Sequence, residues 1–374
     1  MSERLNGTED QAHARAVLGS ALASGEPSHA YLFHGLAGTG KRTVARAFAA
    51  ELLAFGSDDP DATRRRTPSG SHPDLTWVVP SGAHEMRVDD VEGPVIGAAS
   101  RTPFEASKRV FVLERVDTMS DAVANRMLKT LEEPAHYVHL ILLTDSLGQV
   151  IETVQSRCQL VRFDPLPSSR VAALLEAEGI EPARARACAR LSLGNATRAR
   201  FLASEEGVAL RGDVERLVSS ALGGRDGADV EPWRPLLARS EKRKAAAEKE
   251  AAARAAERLE IEPKGREKKS LEKELEEAGK RSARRAQREV LDLGLGLTAL
   301  SLRDRLCALE GAGEAVLATD GAGGPAGAVE RDPRRLREAI EHVEEARLSL
   351  ELNVTEDLAL EALTSRLRRL VGAV

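Results

Sequence analysis

The sequence predicts a parallel α/β domain followed by two helical domains, and three observations carry that prediction. Short, nearly continuous apolar runs alternate with helix-period segments over the first 165 residues, the pattern of strands covered by helices on both faces. A glycine-rich turn joins the first of these runs to the first long helical pattern. Further along, strand-like runs stop and alanine, leucine, arginine and glutamate dominate, side chains that lose little entropy in a helix.

In order, "HAYLFHG" (29–35) is a mixed apolar strand ending in glycine, and "RTVARAFAAELLAF" sets Val44, Ala47, Phe48 and Leu52 at helical spacing. The tract 56–71 reads as a surface loop, its "RRR" at 64–66 being either solvated charge or a phosphate contact. "DLTWVVP" (74–80), "KRVFVLERVD" (108–117) and "VHLILLTDS" (138–146) are the remaining strands, and "SDAVANRMLKTLEEP" is a helix between the last two. The proline-rich "FDPLPSSR" (163–170) marks a linker, which sets the domains at 1–165, 166–205 and 206–374. In the middle domain Gly194 ends one helix and Asn195 starts the next.

The last domain is helical, with a charged insertion at 239–289 that holds 17 basic and 12 acidic residues and is broken by "IEPKG". Two readings stand: a pair of solvated helices joined by a turn, as in a coiled-coil hairpin, or a surface insertion without fixed structure. A nucleic-acid contact through its excess basic charge is a third. "DGAGGPAGA" (320–328) reads as a flexible loop, and the C-terminal stretch as two packed helices around an extended "LELNV".

The net charge of -5 excludes a global positive field, so a nucleic-acid contact has to come from a local patch or a partner. Cys158, Cys188 and Cys307 are far apart and form no CxxC pair, against both a disulfide framework and a zinc site. With neither a secretion signal nor a membrane-spanning run to be read, a soluble cytoplasmic protein is expected.

Gly35, Gly40 and Lys41 satisfy G-x-x-x-x-G-K-[ST] up to its last position. In such a loop, glycines (here Gly38 as well) let successive backbone N–H groups curl around phosphate oxygens, with Thr39 among them. The lysine reaches the terminal phosphates and a hydroxyl holds Mg²⁺. The strand before the loop and the helix after it favour a phosphate-binding loop over a chance glycine turn. Arg42 replaces the hydroxyl with a fixed cation, which cannot ligate a metal. Thr43 follows, but one residue along a helix turns the side chain by about 100°. The second element of such a site is a strand ending in two acids, and here "RVFVL" ends in Glu114 and Arg115. Hydrolysis in cis is not expected, and neither is a bound metal. Lys41 and the loop amides could still hold ATP or ADP weakly.

From about residue 10 to 205, through "HAYLFHGLAGTGK", "SHPDLTWVVPSG", "KRVFVLERVDTMSDAVANRMLKTLEEP", "LILLTDS" and "QSRCQLVRFDPL", the chain resembles the delta-prime subunits of bacterial DNA polymerase III clamp loaders. These are relatives of the gamma/tau ATPases in the AAA+ group. The resemblance implies an AAA+ P-loop domain, a small helical lid and a C-terminal collar that oligomerises. It places Thr144 at a polar sensor position and Arg198 near a second sensor, against the alternative of an arginine on an exposed helix face. Arg157 in "SRC" matches the arginine that projects into a neighbour's ATP site, the alternative being a surface arginine. Ser156 and Cys158 are expected to pack and cap. Implied partners are gamma/tau-like and delta-like subunits and, through the complex, the sliding clamp and primed DNA, with no membrane. The chain departs from many relatives in lacking a four-cysteine module after the first helix, so zinc is not expected. The expectation is a non-catalytic clamp-loader subunit. Its rivals are an active gamma/tau-like ATPase and a general scaffold on a decayed AAA+ module.

Overall fold

Five parallel strands build the centre of the N-terminal half: β1 Ala30–His34, β2 Leu75–Val78, β3 Arg109–Leu113, β4 Val138–Thr144 and β5 Gln159–Arg162, in the order β2-β3-β4-β1-β5. The computed structural model describes residues 5, 8–67, 70–80, 85–223, 230–261, 266–320, 332–351 and 354–371. It divides into two compact units, Met1–Leu166 and Pro167–Val374.

In the first unit the side-chain period of two sorts each strand between two cores. Leu32, Phe111, Leu113, Leu140 and Leu142 face one side, packed with Val123, Met127 and Leu131. Tyr31, Phe33, Val110, Val112, Ile141 and Leu143 face the other, with Leu18, Val44, Phe48 and Leu52. The helices that supply these residues are α1 Ala12–Ser24, α2 Lys41–Ala54 and, on the first face, α5 Asp121–Glu132. Between them lie α3 Pro60–Arg66 and α4 Val88–Val91, and α6 Glu152–Gln155 precedes β5. This is the P-loop α/β architecture that the sequence predicts.

Two elements correct the sequence reading. The tract 56–71 is not all loop, since 60–66 form α3. Asp59 caps this helix by accepting from Ala62 N at 2.9 Å, Pro60 sits in its first turn and Arg64, Arg65 and Arg66 occupy its last. β5 has no apolar run to announce it. It pairs with β1 on one side, and of its residues only Val161 is buried.

In the second unit α7 Ser168–Ala177, α8 Pro182–Leu191 and α9 Ala196–Ala203 lie in the same compact unit as the longer helices α10 Glu205–Ala221, α11 Arg234–Ile261, α12 Arg266–Leu309, α13 Pro333–Glu351 and α14 Glu356–Val371. Asn195 caps α9, accepting from Arg198 N at 2.8 Å, after Leu193 and Gly194 turn the chain through left-handed φ values of 52° and 84°. The charged insertion belongs to α11 and α12, so of the two readings the helical one holds for its described residues. Small residues set its seam: Ala247, Ala283 and Ala286 are buried, and a Cβ on Gly279 would lie 3.2 Å from that of Ala251. The "IEPKG" break from 262 on and the loop residues 321–328 lie outside the described residues. "LELNV" is not extended throughout, because α13 continues to Glu351. Among the described residues no helix is long and apolar enough to cross a membrane.

Candidate functional site

In a parallel sheet every strand delivers its C-terminal end to the same edge, where ligands of this architecture sit. The glycine-rich loop leaves β1 at that edge. Gly35 has φ 139°, and a Cβ there would lie 2.1 Å from the carbonyl oxygen of Phe163, so only glycine passes between the loop and the exit of β5. Gly38 and Gly40 have φ values of 74° and 95°, and Gly40 delivers the chain into α2. Thr39 turns its hydroxyl inward, donating to Leu36 O at 2.9 Å.

Lys41 is almost fully buried and its ammonium is already engaged: it donates to Gly35 O at 2.5 Å and Leu36 O at 2.8 Å, and pairs with Asp145 Oδ1 at 2.8 Å. An ammonium has three protons to give, so these contacts saturate it. Asp145, just past β4, was not singled out from the sequence.

Arg42 pairs with Glu114, Nε to Oε1 at 2.8 Å. The same Oε1 accepts from Trp77 Nε1 at 2.6 Å, and the Arg46 guanidinium stands 5.1 Å from the Trp77 ring centroid. The one acid retained at the end of β3 is thus neutralised by the residue that replaces the hydroxyl. Arg115 follows in a left-handed conformation, φ 54° and ψ 47°. Thr43 is exposed. A divalent cation does not fit this donor set, because a guanidinium occupies the carboxylate that would hold it. Among the described residues no group of three metal-ligating side chains comes together anywhere.

Thr144 ends β4 fully buried, its hydroxyl donating to Asp117 Oδ1 at 2.7 Å and accepting from Ser146 N at 3.0 Å. Gln11 is a further contributor that the sequence gave no reason to choose. Its buried amide donates to Thr39 O at 3.1 Å and Asp164 O at 2.8 Å, and accepts from Asp164 N at 2.8 Å. It staples the loop to the exit of β5.

Arg157 does not join this cluster. It lies two residues before β5 begins, beside His29 at the entry of β1 and the C-terminal end of α5, which is the opposite edge of the sheet from Lys41. The length of β1, about 16 Å at its five residues, separates the two edges. Here a cleft of about 450 Å³ is lined by His29, Leu131, Glu132, Ser156 and Arg157. The guanidinium donates through Nε to Glu132 Oε1 at 2.9 Å and through Nη1 to Thr153 O at 2.9 Å and Ser156 Oγ at 3.2 Å, and Nη2 also reaches Glu132. Cys158 packs against the core on the α5 side, and burial pushes its thiol up to about 12. Arg198 belongs to the second unit, half-buried, where burial lowers its pKa and Asp292 partly restores it.

Residues 10–167 match the family model described as DNA polymerase III, delta subunit. Over 188 residues the chain is 30% identical to DNA polymerase III subunit delta' of Bacillus subtilis, covering 49% of this chain and 56% of that one. Over 148 residues it is 34% identical to subunit delta' of Pseudomonas aeruginosa, covering 38% and 44%. Similarity extends to DNA polymerase III subunit tau of Bacillus subtilis, 29% identical over 174 residues, covering 45% and 30%. The chain spans about half the length of the delta' relatives it matches. Over residues 10–167 the chain is thus similar to subunits of DNA polymerase III.

Proposed function

From that kinship of residues 10–167, we propose that the chain is a delta-prime-type subunit of a clamp loader that hydrolyses no ATP itself and lends Arg157 to the ATP site of a neighbouring subunit. The observation that carries the proposal is the Arg42–Glu114 pair. Hydrolysis in this fold needs Mg²⁺ between a loop hydroxyl and an acid at the end of a strand. Here one residue both removes the hydroxyl and neutralises the acid. Arg157, on the far edge of the sheet, is out of reach of its own loop, so a nucleotide that it serves is one bound by another chain.

In this reading the helices of the C-terminal half form the collar that holds a ring of related subunits. Gamma/tau-like and delta-like chains are the neighbours, and the assembly opens a sliding clamp for primed DNA in the cytoplasm. The loop's role in this chain is architectural. Nucleotide would have to displace Asp145 and two carbonyls from Lys41, so ATP or ADP binds weakly and Mg²⁺ adds nothing to affinity.

The retained Gly35, Gly40 and Lys41, with the similarity to a tau subunit, favour a second reading as an active gamma/tau-like ATPase. Purified full chain decides between them. We expect no magnesium-dependent ATP turnover above background; turnover that Lys41→Ala abolishes would establish the second reading. In the reconstituted complex, Arg157→Ala is expected to leave assembly intact while cutting turnover at the site it faces by roughly 1,000-fold or more. Unchanged turnover would remove Arg157 from this role.

A further inference from the structure

Arg157 is largely occupied where it stands. Of the five N–H groups of a guanidinium, four are engaged: Nε and one on Nη2 by Glu132, and two on Nη1 by Thr153 O and Ser156 Oγ. Only one is left for a phosphate, whereas an arginine that stabilises a transferring phosphoryl group presents a whole edge of its fork to the oxygens. The carboxylate that holds it belongs to the last residue of α5, where Glu133 follows directly. An acid at a helix C-terminus opposes the helix dipole, and the guanidinium relieves both that opposition and the repulsion of the adjacent acids. The arrangement is a small electrostatic trap for one arginine, open to the cleft of about 450 Å³ beside it.

We propose that Glu132 is a positioning residue that parks Arg157 on its own subunit until the polyphosphate of a nucleotide bound by a neighbouring subunit takes the guanidinium over. The pair is partly exposed, with side-chain accessibilities of 32% for Arg157 and 47% for Glu132. Such pairs are weak, and a polyphosphate carries more charge and more acceptor oxygens than one carboxylate, so the exchange runs toward the nucleotide once it is in reach. Before then Glu132 keeps the arginine from wandering across the cleft. The toll for release is charged to the neighbour's nucleotide affinity. Removing the carboxylate's charge therefore tightens that affinity without removing the arginine.

This inference rests on the trans role proposed above, and the experiment separates the two. Steady-state ATP hydrolysis by the reconstituted complex gives KM and kcat with wild-type chain, Glu132→Gln, Glu132→Asp, Arg157→Ala and the Glu132→Gln/Arg157→Ala double variant. We expect Glu132→Gln to lower KM for ATP by roughly 1.5- to 5-fold, the range spanned by exposed ion pairs, with kcat within about twofold on the same grounds. Glu132→Asp, which keeps the charge, restores KM toward wild type. In the Arg157→Ala background Glu132→Gln changes nothing. An unchanged or raised KM in Glu132→Gln, or a shift that persists without Arg157, overturns the parking role. Loss of any Arg157→Ala effect overturns the trans role itself.

Discussion

His139 is buried within β4, its Nδ1 3.0 Å from Ser28 O, so Nδ1 carries the proton donated to that carbonyl. Burial pushes its pKa from 6.5 down to about 4. Between those values the unfolded chain takes up a proton that the folded chain refuses. The stabilisation is complete above the unfolded value and declines as pH falls toward the folded one. At pH 5 the loss is about 2 kcal/mol. Urea denaturation at pH 7 and pH 5 should show that drop in the wild type and a drop smaller by about 2 kcal/mol in His139→Gln; equal drops in both would clear His139 of the effect. Residue-scale chemistry was partly legible beforehand. Arg42 announces a lost metal ligand by its identity alone, whereas its pairing with Glu114, and that of Lys41 with Asp145, depends on which strand ends lie side by side.

At the scale of elements, long apolar runs declared β1, β3 and β4, because burial on both faces leaves few polar positions. The edge strand β5, with Val161 as its one buried residue, lacks that signature and passed unread. α3 had a usable signal, an aspartate followed by proline and a basic last turn, but its helix holds together through distant partners as well. Arg64 pairs with Glu51 of α2 at 2.8 Å, and Arg66 with Glu105 at 2.7 Å. Removing the cap by Asp59→Ala is expected to cost about 1 kcal/mol of stability, read from the denaturation midpoint at unchanged slope. A cost near zero would mean that these ion pairs and not the cap define the helix.

At the scale of the whole molecule, the C-terminal unit holds a buried ion pair between residues more than a hundred positions apart in sequence. Arg211 in α10 meets Asp320 through two hydrogen bonds, at 2.8 Å and 2.5 Å, with side-chain exposures of only 4% and 6%. Leaving one such charge alone in the interior costs about 3–5 kcal/mol. Asp320→Ala should therefore lower the unfolding free energy by that order, while Arg211→Met combined with Asp320→Leu recovers most of it. A single variant as stable as wild type would contradict the burial of the pair. No local pattern could have linked these residues, since Asp320 opens a stretch that reads as loop.

By itself the sequence determined the strand-loop-helix unit, the loss of a hydroxyl and of an acid at one site, the "SRC" segment and a helical second half. Each is carried by neighbouring residues, so hydrophobic period and motif spacing suffice to read it. Tertiary structure alone decided which groups fill the loop and where Arg157 stands. Strand order brings β1 between β4 and β5, and that crossover sets Asp145 and Glu114 at the loop's edge while leaving Arg157 with Glu132 at the other. Partners of this kind meet through the packing of the sheet, which no one-dimensional pattern encodes.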